Sequence, residues 1–173
     1  MAKGRVFADT NVILEAFRTG CWPAICGRYA VETVETCVAE ALAGNPESPG
    51  HIRVDAAFLR GSLAAIHTVT RLEIATLALE HPHSQGLDLG ERDLLAWLYA
   101  RGFDAESRIL LSTADKAAIV AAGQLGWLDL VVCLEDLGEA SGASRARLQD
   151  LARHHRREWL SRLKTDIVLG SFS

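Results

Sequence analysis

"RVFADTNVILEAF", residues 5 to 17, runs from an apolar segment of strand length into an acid, a hydroxyl and an amide, then resumes apolar character at helical spacing. "RVFA" reads as a buried strand, and Asn11 to Arg18 as a helix closed by Gly20. A carboxylate placed just past a buried strand is costly if it is desolvated and unpaired, so Asp9 needs a partner, a metal or water.

Outward from this junction the same rhythm repeats. A second short strand spans about Arg28 to Val34, followed by a helix from Thr36 to Leu42 stopped by Gly44. "NPESPG" (45 to 50) is a loop by composition. Val54 to Ile66 has helical period despite Gly61, "HTVT" (67 to 70) fits a short strand, and Leu72 to Leu79 fits a helix ended by "HPH". "LDLGERDLLAWLYARG" is a helix with its start signal, "RILLS" (108 to 112) a strand, "DKAAIVAAGQLG" a helix and "LDLVVCL" (128 to 134) a strand. Alternation of this kind means a parallel sheet with helices on both faces.

The bulk numbers agree with one core. At 173 residues, 49% hydrophobic and 23% charged, the chain matches one globular domain. It has no uncharged apolar run of membrane length and no basic-then-apolar leader, so the expectation is a cytosolic protein without a membrane partner. Cys21, Cys26, Cys37 and Cys133 form no Cys-x-x-Cys pair and have no matching His spacing, which argues for reduced, buried thiols over a zinc site or disulfides. The formal net charge is −4, with seven Lys or Arg against three Asp or Glu from Ala140 onward. The body is therefore acidic and the tail basic.

Ligands of open α/β sheets bind outside the carboxyl ends of the strands. Asp9, Thr113 and Asp115 lie just past strands, Glu40 one turn into the helix after the second strand, and Asp93 in the first turns of the helix that opens at Gly90. Each has a plainer reading. Asp115, with Thr113, caps a helix, and Asp88 and Glu91 have the spacing of a capping box, leaving Asp93 without a structural task. Glu40, like Glu32 and Glu35, reads singly as a solvated residue. Together the acids say more, because carboxylates about 4 Å apart repel by roughly 4 kcal/mol per pair at an effective dielectric near 20. An oxygen-only donor set suits Mg²⁺ or Mn²⁺, ions that activate water and clamp a phosphodiester.

At this point "VFADTNVIL", "TCVAEAL", "LGERDLLAWL" and "LLSTADKAA", in that order, resemble the PIN domain family, over roughly residues 5 to 135. The resemblance implies a three-layer α/β/α fold in residues 1 to 138, with residues 139 to 173 as a helical extension. It also implies a metal site formed by Asp9, Glu40, Asp93 and Asp115. Thr10, Asn11 and Thr113 would support it, and Glu91 would share the task of Asp93. Such domains are typically ribonucleases that hydrolyse single-stranded RNA through a metal-activated water. Many are homodimeric toxins blocked by an antitoxin protein. In "STAD" the residue before the last acid is Ala114, where the family often carries another polar group.

Other classes fit less well. An aspartyl-phosphate phosphohydrolase would want a second acid two residues after Asp9, where Asn11 stands. A catalytically silent module that binds protein or RNA is the other alternative, and the acidic body favours caution because nucleic-acid binders are usually basic. In the tail, Leu148, Leu151, Ala152, His155, Trp159 and Leu163 share one side of a helical pattern. The arginines beside them read as solvated, or, in Arg153, Arg156 and Arg157, as a contact for RNA or a partner. His81, His83, His154 and His155 complete no second metal site, and the four Trp read as core or interface aromatics.

Overall fold

A computed structural model describes residues 2 to 171. Strands β1 (Arg5–Ala8), β2 (Ala30–Val34), β3 (Ala65–His67), β4 (Ile109–Ser112) and β5 (Val131–Val132) form one sheet. Its order is β3-β2-β1-β4-β5 and every pairing is parallel. Successive strand residues point to opposite faces, and Val6, Phe7 and Ala8 are all buried, so helices cover both sides of β1. This is the expected three-layer α/β/α arrangement.

The crossovers are α1 (Thr10–Thr19) and α2 (Trp22–Arg28) after β1, α3 (Glu35–Leu42) and α4 (Ala56–Ser62) after β2, and α5 (Arg71–Glu80) and α6 (Leu89–Ala100) after β3. The last crossover is α7 (Lys116–Gln124) after β4, and α8 (Leu134–Ala140), α9 (Arg145–Gln149) and α10 (Arg157–Leu169) follow β5. The strand order reverses between β1 and β4, and in such sheets the crevice opens at that reversal, beyond the carboxyl ends of the two strands. No helix among the described residues is long and apolar enough to cross a membrane.

Several boundaries differ from the sequence reading, each for a local reason. The strand expected from about Arg28 begins at Ala30, because α2, which tolerates Pro23 in its first turn, runs through Arg28. The helix expected over residues 54 to 66 is shorter: Asp55 caps it by accepting from the Phe58 amide at 2.6 Å, and past Gly61 the chain pairs with β2. The last strand keeps only two residues, since a 3-10 turn at Leu128–Leu130 precedes it and Cys133 caps α8 immediately after.

The tail is not one amphipathic helix. It breaks into α9, a 3-10 turn at Arg153–His155 and α10, and it packs onto the domain, with Leu151, Leu160 and Leu163 in the common core. Arg18 on α1 reaches the Asp150 backbone carbonyl at 2.5 Å, while Glu15 accepts from the Ala152 amide at 2.6 Å. Two of the tail arginines serve this docking. Arg156 donates to the carbonyls of Gln149 and Leu151, and Arg157 pairs with Asp136 and Glu139 of α8. Arg153 stays exposed. Lys164 of α10 donates to the carbonyl of Val131 on the edge strand at 2.7 Å.

His155 is buried beneath this junction, and its Nδ1 has no partner among the described residues. Burial, helped by the neighbouring His154 and by Arg18 and opposed by Glu15, pushes its pKa down to about 4. Burial also works against the Glu15 carboxylate, but Arg18, the Ala152 amide and His155 outweigh it and hold its pKa below the ordinary range. The unfolded His155 takes up a proton near pH 6.5 that the native state refuses until about pH 4, so its share of stability is lost as pH falls through that window. Urea unfolding of wild type and His155→Phe at pH 7 and pH 4.5 should show wild type losing about 2 kcal/mol more than the variant. Equal losses would mean that this imidazole is not held neutral.

Candidate active site

The β1 to α1 junction supplies the deepest acid. Asp9 is 1% exposed and caps α1, its Oδ1 accepting from the Val12 amide at 2.8 Å. Its backbone N–H donates to the Ser112 carbonyl at 3.1 Å, which ties it to the end of β4. Oδ2 is buried with no hydrogen-bond partner among the described residues. Burial pushes the Asp9 pKa up to about 6, and Asp115 adds to the rise, while the Thr113 hydroxyl and the Val12 and Ala114 amides work against it. Asp115 has the same construction one strand over, capping α7 through the Ala118 amide at 2.9 Å. Thr113 is buried beneath it and accepts from the Asp115 amide at 3.2 Å.

The third acid of this group is Glu91. It is 6% exposed, and its pKa is pushed up to about 8, by burial first and then by the charges of Asp115, Asp9 and Asp88. Glu91 thus shares one electrostatic neighbourhood with the two strand-end acids. The capping box expected at Asp88 forms only in part: the Asp88 side chain makes no cap hydrogen bond, while its amide favours the charged form of Glu91.

Asp93 is not brought to this group. Its carboxylate accepts from the Thr36 hydroxyl at 2.5 Å and from Arg92 Nη2 at 2.8 Å. Residues i and i+2 of a helix point to different sides, so once Glu91 faces the strand ends Asp93 must turn onto α3. Thr36 and Arg92 are the partners that sequence reasoning missed; the i, i+2 spacing within "ERD" signals that the two acids face different sides, and the packing of α6 sets which of them meets the strand ends.

Glu40 is a connector. Its Oε2 accepts from the Thr10 hydroxyl at 2.6 Å and its Oε1 from the Gly90 amide at 3.1 Å. One carboxylate thereby joins the residue after Asp9 to the residue before Glu91. Gly90 is required for that contact: a Cβ there would press into Glu40 Oε2 and lie 2.9 Å from Thr10 Oγ1 and 3.0 Å from Cys37 Sγ. Asn11 is exposed and lines a groove of about 320 Å³ with Thr10, Glu40, Asp88, Leu89 and Glu91.

Among the described residues no three His, Cys, Asp or Glu side chains already close into a metal-ligand cluster. The donors are nevertheless of one kind. A buried carboxylate oxygen without a partner among the described residues, with Asp115 acting on its carboxyl group and Glu91 raised by both, is an oxygen-only set suited to a hard divalent cation. Compared with known proteins, the chain matches no family model, no curated protein and no solved structure.

Proposed function

We propose that this chain is a metal-dependent endoribonuclease acting on single-stranded RNA, with Asp9, Glu91 and Asp115 as the residues that would hold Mg²⁺ or Mn²⁺. The observation that carries the reading is the partnerless Oδ2 of Asp9, buried at the strand-order reversal beside two more carboxyl groups. It is the arrangement that the resemblance to the PIN domain leads one to look for, with Glu91 in the place expected of Asp93. When bound, the ion supplies a water acidic enough to attack at neutral pH and a positive charge for the phosphate oxygens.

The chain's own residues set the geometry. Asp9 and Asp115 are held by the helices they cap, so neither has to reorganise to meet a ligand. Glu40 fixes Thr10 against Gly90 and so keeps the two sides of the crevice in register. Asp93 carries no ligand role in this reading and serves the packing of α6 on α3. A toxin role with an antitoxin partner, and a homodimer, rest on the resemblance alone.

The test is cleavage of an unstructured RNA pool with Mn²⁺ or Mg²⁺, with EDTA as the control. Glu91→Gln should lower the rate by about 10²-fold or more, the loss typical of removing one group that stabilises charge in the reaction. Asp93→Asn should stay within a few-fold of wild type while lowering the unfolding midpoint. Cleavage abolished by Asp93→Asn and spared by Glu91→Gln would reverse the assignment, and a folded wild type inert in every metal would leave a binding module.

A further inference from the structure

A second groove adjoins the carboxyl group on the other strand end. It has a volume of about 430 Å³ and is lined by His83, Asp115, Lys116 and the α7 residues Ala117, Val120, Ala121 and Gln124. From the nuclease reading together with this groove, we infer that it takes one unpaired nucleotide of the substrate, the one next to the bond that is cut, with the base between His83 and α7.

The shape and the chemistry point the same way. Ala117, Val120, Ala121 and Gln124 recur at i, i+3, i+4 and i+7, so they form one face of α7. The first three are small and apolar and leave a flat strip against which a planar ring can lie. His83, exposed on the 3-10 turn at Pro82–Gly86, lines the same groove from a different element and supplies an aromatic ring for stacking. Gln124 at the far end carries both a donor and an acceptor for a base edge. The volume lies within the usual range for small-ligand sites, roughly 300 to 1,000 Å³.

Charge distinguishes this groove from the one beside Glu91. The Glu91 groove contains Glu40, Asp88 and Glu91 and no basic residue. The Asp115 groove has one acid, the shared Asp115, and brings Lys116 and His83. A polyanionic strand entering the crevice is therefore repelled on the Glu91 side and better received on the Asp115 side. Because the base must leave any duplex to enter, the groove also selects single strands.

Two readouts separate this inference from the nuclease reading on which it rests. The first is binding of a fluorescent single-stranded RNA ten-mer, measured by anisotropy without divalent metal. The second is the sequence preference at cut sites in a random RNA pool with Mn²⁺. His83→Ala should weaken binding about tenfold, the size of one lost base-aromatic stack, and His83→Phe should restore it. Val120→Trp, which fills the groove, should weaken binding further, and Gln124→Ala should relax the base preference beside the cut. Wild-type binding and an unchanged cut pattern in both His83→Ala and Val120→Trp would overturn the inference. If wild type binds the ten-mer through His83 but cuts nothing in Mn²⁺, the groove stands and the nuclease reading falls.

Discussion

Replacing Asp9 by Asn should lower metal-dependent RNA cleavage by about 10²-fold or more and, in the same protein, stabilise the metal-free fold by about 1 to 2 kcal/mol. The two effects have one origin. The Asp9 carboxylate is almost fully buried, its Oδ2 has no hydrogen-bond partner, and Asp115 and Glu91 lie close enough to feel its charge. At neutral pH the metal-free protein bears the cost of that buried charge, while the unfolded chain does not. Asparagine keeps the oxygen that caps Val12 and places an amide N–H toward the remaining acids, so the cap survives and the repulsion falls.

Thermal unfolding with and without Mn²⁺ measures both halves. Wild type should melt lower without metal and rise when Mn²⁺ is added, since an ion that binds only the native state stabilises it. The Asn variant should start higher and respond little. A variant that is less stable than wild type, or that gains as much from Mn²⁺, would remove Asp9 from the ion site.

Gly90→Ala should be the most damaging change that alters no charge. It should cost about 1 to 3 kcal/mol of stability through overpacking and reduce cleavage at least about tenfold. The added methyl has nowhere to go, because Glu40, Thr10 and Cys37 surround the position. Moving Glu40 would release Thr10 beside Asp9 and the Gly90 amide beside Glu91, so two of the three acids lose their support at once. The attribution can be checked by a double-mutant cycle. In a Glu40→Ala background the nearest of the three obstacles is gone, with Thr10 and Cys37 still in place, and the same substitution should then cost less by about 1 kcal/mol or more. Additive costs would mean that Gly90 matters for some reason other than Glu40.

How far the sequence carried can be judged from these same residues. The β1 to α1 junction was legible because a buried strand followed at once by Asp9 has few physical explanations, and a strand ending at Ser112 ahead of Asp115 repeated it. The parallel sheet followed from the alternation of periods. Glu91 and Asp93 could not be separated by pattern, since both are acids in the first turns of one helix. What decides between them is the direction in which α6 faces the strand ends, a property of packing. Glu40 read singly as solvated because its partners, Thr10 and the Gly90 amide, lie 30 and 50 positions away in the chain. The tail misled for a related reason: an amphipathic pattern was present, but contacts to α1 and α8 broke it into three pieces.

The bond from Lys164 to the Val131 carbonyl has a bearing beyond holding α10 in place. Strand β5 is the outermost strand on its side of the sheet, and an open parallel edge is a template onto which another extended chain can add. Here the ammonium occupies one of its acceptors, and Leu160 of the helix that carries it lines a groove together with Leu128 and Val131 of the same margin. The basic extension, which reads from its composition as an appendage for a polyanion, therefore also shields one acceptor on the edge of the sheet. A chain shortened before Arg157 would keep all the crevice acids and lose this cover, and light scattering should then show more self-association than for the full chain; equal scattering would mean that the two-residue strand is too short to act as an edge template.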